Sequence, residues 1–209
     1  MSLARLLSLV APPLCWSCGG PATRDGPLCQ GCRAGQHWLE SVAVEVAGIC
    51  TWAPVAYEGS ARALVGALKF RGAAGIADHM AAAMLARAPP RLIDNRTLVP
   101  VPLHPARLRR RGFNQADRLA AAMAARSALP VSRCLRRRGA YGAQVGRGRS
   151  DRLASVRGSI AAERPVAPRV LLVDDVITTG ATLAACAAAL REAGASEVAA
   201  IAYARTLGR

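Results

Sequence analysis

Lysine is almost absent from this chain. Lys69 is the only one in 209 residues, so the excess of 28 basic over 13 acidic residues is an excess of arginine. A guanidinium is a planar fork of donors that matches phosphate oxygens, which points to a polyanionic ligand or to nucleic acid. Arginine and alanine richness from a GC-rich genome is the other source of the total. The distribution says more: residues 104–152 hold 13 arginines and only two acids, Asp117 and Asp151. Aromatic residues are scarce, three Trp, three Tyr and two Phe, which leaves few surfaces for stacking bases. His37, His79 and His104 form no spaced pair and receive no ligand role. No G-x-x-x-x-G-K-[ST] precedes the one lysine, in "LKFRG", which excludes a P-loop nucleotide site. No G-x-G-x-x-G follows an early strand, which excludes a dinucleotide fold. The alanine-rich segments are studded with arginine, so none is expected to span a membrane. The opening "MSLARLLSLVAPPLC" is broken by Pro12 and Pro13, lacks a small-residue cleavage site, and has no lipoprotein signal before Cys15. The expected location is the cytoplasm.

What is present is a globular composition, 52% hydrophobic, in a chain long enough for one domain and a small appendage. After residue 47 the pattern alternates strand and helix. "GICTWAPVAY" (48–57) reads as a strand, and Ala63, Leu64, Leu68 and Phe70 recur at helical spacing. "ADHMAAAMLARA" (77–88) reads as a helix stopped by Pro89 and Pro90. "TLVPVPL" (97–103) reads as a strand, with Pro100, Pro102 and Pro105 excluding helix there. A helix over 114–128 opens on Asn114 as its cap. Residues 135–152 show neither period, hold four glycines, and read as a mobile loop. A strand (170–174), a helix (181–193, ended by Gly194) and a strand (197–204) close the chain, with Pro165 and Pro168 marking a turn. This spacing implies a right-handed βαβ unit and a parallel sheet. The expected division is 1–47 and 48–209, and there is no internal repeat.

Four of the seven cysteines are organised. "CWSCGGPATRDGPLCQGC" sets Cys15 with Cys18 and Cys29 with Cys32 as two C-x-x-C knuckles, ten residues apart. Two knuckles that turn their thiolates to one point complete a tetrahedral structural zinc site, and Gly19 and Gly20 allow the turn. Redox pairs or disulfides are the alternative, disfavoured in a reducing compartment. With four cysteines no position stays open for catalysis. Cys186 reads as core packing in an alanine-rich helix.

The stretch "RVLLVDDVITTGAT" (169–182) ends an apolar run in Asp174 and Asp175 and passes at once into Thr178, Thr179, Gly180, Ala181 and Thr182. Ligands of open α/β sheets bind beyond the carboxyl ends of strands. The loop opens a helix, whose free amides and dipole suit a phosphate. Two carboxylates do not suit a phosphate, but they accept hydrogen bonds from a vicinal diol. A diol a few bonds from a phosphate is ribose 5-phosphate. A buried strand ending in an acidic turn is the alternative.

"VLLVDDVITTGAT" resembles the phosphoribosyl-pyrophosphate loop of type I phosphoribosyltransferases. With "YEGSARALVGALKFRG" (57–72), "VPVPLHPARLRRRGFNQADRLA" (99–120), "AQVGRGRSDRLASVRGSI" (143–160) and the cysteine knuckles, the chain resembles the competence protein F family. That resemblance implies an α/β parallel sheet flanked by helices behind a small zinc ribbon. It implies that Asp174 and Asp175 hold the ribose hydroxyls, one of them serving as base or metal-linked ligand, and that Thr178–Thr182 wrap the 5-phosphate. The turn after strand 97–101 corresponds to the pyrophosphate loop and residues 136–150 to a mobile hood. Arg109, Arg110, Arg111 and Arg138 are candidates for charge on the leaving pyrophosphate, which magnesium would neutralise; "RLRRRG" as a solvated basic face is the alternative. Asn114 and Gln115 receive no role. The expected activity is phosphoribosyl transfer to an acceptor the residues do not identify. The other reading is a single-stranded DNA-binding competence factor, working beside a helicase-like partner and using the pocket as sensor or scaffold.

Overall fold

The computed structural model describes residues 13–22, 26–71, 74–137, 159–163 and 165–207. Its elements run in chain order α1 (Gln30–Ala34), β1 (Val44–Val46), β2 (Ile49–Trp52), β3 (Val55–Ala56), α2 (Gly59–Arg71), α3 (Ala74–Arg87), α4 (Pro90–Ile93), β4 (Thr97–Pro100), α5 (Pro105–Arg111), α6 (Gln115–Ser127), β5 (Leu135–Arg137), β6 (Ile160–Ala162), β7 (Arg169–Ile177), α7 (Ala181–Glu192) and β8 (Glu197–Arg205). The main sheet has the order β1-β2-β8-β7-β4, with β3 also on β8. All pairings are parallel except that of β1 with β2. β5 and β6 make a separate antiparallel pair.

The centre of the sheet is buried on both faces, so β7 and β8 are near-continuous apolar runs rather than alternating ones. The two-residue period still decides which layer each side chain enters. Leu171 and Val173 pack with Leu64, Met80, Leu119 and Met123 on one face; Val170 and Leu172 pack with Leu183, Cys186 and Leu190 on the other. α6 shows the matching stripe, with Gln115, Ala116, Leu119, Ala120 and Met123 buried and Asn114 Oδ1 accepting the Ala116 amide as cap. β7, α7 and β8 form the expected parallel βαβ unit. Cys186 is fully buried in α7, as expected.

Three local expectations are corrected. The strand over 48–57 is two short strands, interrupted at Ala53 and Pro54, because proline cannot donate to a ladder. Pro105 stands in the first turn of α5, where a missing amide costs nothing, and His104 Nδ1 accepts from the Ala106 amide. Residues 135–137 are not loop but strand, paired with 160–162. The rest of the glycine-rich stretch, including Arg138 and most of the expected hood, lies outside the described residues.

The cysteine region is built into the same core. Cys15 and Leu28 belong to the cluster around Trp52 and Leu64. Residues 36–39 run beside β3, with the Ala56 amide donating to His37 (2.9 Å) and the Leu39 amide to Pro54 (2.8 Å). Gln36 Nε2 donates to the Tyr203 hydroxyl at 2.8 Å in the interior. Tyr203→Phe is therefore expected to strand a buried amide and cost about 1–3 kcal/mol. The shift of the urea midpoint measures it, and an unchanged midpoint would show that this bond does not fasten residues 36–39 to the sheet.

Candidate functional site

Alternation along β7 sends its two terminal carboxylates to opposite faces. Asp175 continues the Leu171–Val173 row and is 4% exposed. There its Oδ2 meets Lys69 Nζ of α2 at 2.9 Å, an ion pair without a directed hydrogen bond. Asp174 continues the Val170–Leu172 row, is half-buried, and its Oδ1 accepts the Asp175 amide at 2.8 Å. Burial holds the Asp174 carboxyl well above its ordinary range, and the Asp175 charge adds to this; the Asp175 amide and Lys69 oppose it. Lys69 is the functional candidate that sequence reasoning passed over. Its only signal was that it is the one lysine in an arginine-rich chain.

Directly after the carboxylates, Asp174 and Val176–Leu183 line a cleft of about 50 Å³. Gly180 is left-handed (φ 74) at the start of α7, and no side chain caps the helix. The Ala181 amide donates to Thr179 Oγ1 at 3.5 Å, and the amides that follow it in the first turn are available to an anion. Thr178 and Thr179 are exposed, while Ala181 and Thr182 are half-buried. The structure therefore brings Asp174 and Thr178–Thr182 to one cleft, with Asp175 behind them on the opposite face. Gly180 is required for space as well as for φ, since a Cβ there would meet Val46 Cγ1 at 2.6 Å. The turn between β1 and β2 thus presses on the back of the loop.

The basic candidates separate. The β4 end lies beside β7, with the Val101 amide donating to Val173 (3.0 Å) and α5 following at once. Arg111 is half-buried, hydrogen-bonded to Gln115 Oε1, and 5.6 Å from the Phe70 ring centre. Burial lowers its pKa, and the Asp175 charge works against that, which places Arg111 within electrostatic reach of the carboxylates. Arg109 and Arg110 are exposed and form no ion pair among the described residues. Gly112, left-handed at φ 79, ends α5, and Asn114 begins α6, which is the local meaning of "RRRGFNQA". Asn114 is structural, since its Nδ2 donates to Val101.

The Sγ atoms of Cys15, Cys18, Cys29 and Cys32 all lie within 4.8 Å of one another. Cys18 and Cys29 are 3.8 Å apart, the edge of a tetrahedron whose metal–sulfur bonds are about 2.3 Å. Burial raises Cys15, yet the amides of Cys18, Cys29 and Ser17 bring it down to about 6. Ser17 favours the Cys32 thiolate, but the Cys18 and Cys29 sulfurs push it up to about 12. Four such sulfurs ionise together only around a cation, so the donor set fits a metal ion.

Residues 108–207 match the phosphoribosyl transferase domain. The chain carries that domain. It is also similar to competence protein F of Haemophilus influenzae, 37% identical over 106 residues, covering 48% of this chain and 46% of that protein. The chain thus spans about half the length of the curated relative it matches. The domain match takes in α5 from Leu108, the carboxylates and the anion loop, so the transferase domain and the cleft coincide. Among the described residues no helix is long and apolar enough to cross a membrane.

Because burial raises Asp174, the folded state holds its proton over a range where the unfolded chain has lost it. Stability of the ligand-free protein then falls as pH rises above the ordinary value of 3.8. Asp174→Asn is expected to remove that decline and raise the melting temperature at pH 7, by about 2–4 °C per kcal/mol released. Parallel pH profiles for the two proteins would show that the carboxyl is not held against ionisation.

Proposed function

We propose that the chain binds phosphoribosyl pyrophosphate with magnesium through Asp174, Asp175 and Thr178–Thr182 and transfers the phosphoribosyl group to an acceptor. The observation that carries this reading is a carboxylate and an uncapped helix start lining one cleft at the carboxyl edge of the sheet. The loop amides and threonine hydroxyls donate to the 5-phosphate, and Asp174 accepts from the ribose hydroxyls, while Asp175 acts from behind the cleft through its pair with Lys69. The bond between ribose C1 and the pyrophosphate oxygen breaks, and positive charge develops at C1. Asp174, ionised in the liganded site, favours that charge, and Arg111 with its exposed neighbours Arg109 and Arg110 takes the negative charge leaving. Magnesium, which takes hard oxygen ligands such as Asp174, neutralises the diphosphate when bound.

In the same reading residues 1–47 carry a structural zinc on Cys15, Cys18, Cys29 and Cys32, and residues 48–209 form the ligand-binding unit. The similarity to competence protein F supports a place in competence and DNA uptake. Within the arginine-rich stretch, Arg126, Arg133 and Arg136 are already paired with Asp78, Asp117 and Glu163. That favours a local anion site over a continuous nucleic-acid track.

Titration calorimetry with phosphoribosyl pyrophosphate and magnesium is expected to show binding to the native chain and none to Asp174→Ala/Asp175→Ala. Absence of binding to the folded, metal-loaded native chain overturns the reading. Elemental analysis is expected to find one zinc per chain, and Cys18→Ser is expected to lose it together with a large part of the thermal stability, in line with structural sites whose binding energy is folding energy. Full stability without metal would refute the structural zinc.

A further inference from the structure

The two-residue turn between β1 and β2 is strained. Val46 pairs with Ile49, and the residues between them, Ala47 (φ 54) and Gly48 (φ 75), are both left-handed. A tight hairpin turn asks for that conformation, and Asn-Gly or Asp-Gly is its ordinary filling. Alanine has no polar side chain to offset a left-handed backbone. Strain of this kind persists where the surroundings hold it in place, and it gathers at ligand sites.

The surroundings here are the anion loop. A Cβ placed on Gly180 would lie 2.6 Å from Val46 Cγ1, 3.1 Å from Ala47 Cβ and 3.6 Å from the Val46 carbonyl carbon, so its three nearest atoms all belong to the hairpin. Val46 and Ala47 therefore cover Gly180 on the side a side chain would take. The loop is fastened at its two ends: the Ile177 carbonyl accepts the Thr206 amide (2.9 Å), and the Gly180 carbonyl accepts the Ala184 amide (2.8 Å). Thr178 and Thr179 between them are exposed. An anion site made of backbone amides depends on their placement before the ligand arrives, because ordering them on binding subtracts from affinity. Val46 and Ala47 lie outside residues 108–207, which match the transferase domain, so this support comes from the part of the chain that precedes the match.

We propose that Val46 and Ala47 are positioning residues: the hairpin tip is a stop that holds Gly180 left-handed and thereby fixes the amides of Thr182 and Leu183 for the phosphate of a sugar phosphate. The ligand half of this assignment rests on the phosphate reading of the loop given above; the structural half stands without it.

The test uses the full, metal-loaded chain with two readouts, hydrogen exchange at the Ala184 amide without ligand and the affinity for ribose 5-phosphate by calorimetry. Val46→Ala is expected to speed the Ala184 exchange about tenfold and to weaken ribose 5-phosphate about tenfold, while the amides of β8 exchange as in the native chain. Val46→Thr, which keeps the branched shape, is expected to leave both at native values. Ala47→Gly is expected to act as Val46→Ala does, yet with a melting temperature no lower than native, since glycine relieves the left-handed strain. A merely structural role would instead move affinity and melting temperature together. Native Ala184 exchange in both Val46→Ala and Ala47→Gly, or native affinity in spite of faster exchange, overturns the proposal. A native chain that does not bind ribose 5-phosphate overturns the phosphate reading itself, and the Ala184 exchange then decides alone whether the hairpin holds the loop.

Discussion

Two neighbouring carboxylates at the end of a buried strand repel one another unless the fold separates and answers them. β7 does this through its two-residue period. Asp175 turns to the layer of α2, where Lys69 meets it at 2.9 Å. Asp174 turns to the layer of α7, where it lines the anion cleft and stays reluctant to ionise. The division leaves one carboxylate buried against Lys69 and the other lining the cleft beside Thr178–Thr182. The Lys69 contact anchors this arrangement, because without it the 4% exposed Asp175 is an uncompensated buried charge.

The cysteine region bears on the same place from two directions. Ser60 Oγ, in the first turn of α2, donates to the Cys32 carbonyl at 3.1 Å, and the same helix carries Lys69. The turn between β1 and β2, with Ala47 and Gly48 both at positive φ, packs against Gly180. The cysteine segment thus contacts the helix that carries Lys69, and the β1–β2 turn contacts the loop at Gly180.

Much of the site was legible in the chain because its signals are local. The strand, loop and helix read at 170–174 and 181–193, the cap at Asn114 and the paired knuckles are each written within a few residues, and the structure keeps their order while carrying β7 on to Ile177. The misreadings were also local, but competing. Pro105 was taken only as a breaker, although proline is welcome in a first helical turn. Leu135–Arg137 show no strand period in so short a run and become strand only through pairing with 160–162.

By itself the sequence determined the four-cysteine cluster, the α/β alternation and the carboxylate–threonine loop, since periodicity and spacing act over one or two turns of chain. Only the tertiary structure decided that Lys69 answers Asp175, that Arg111 is half-buried while Arg109 and Arg110 stay exposed, and that Val46 leaves no room for a side chain at position 180. Parallel strands are joined by long crossovers, so residues that meet at their common edge are far apart in the chain. No local pattern records such meetings; the packing of helices on the two faces of the sheet creates them.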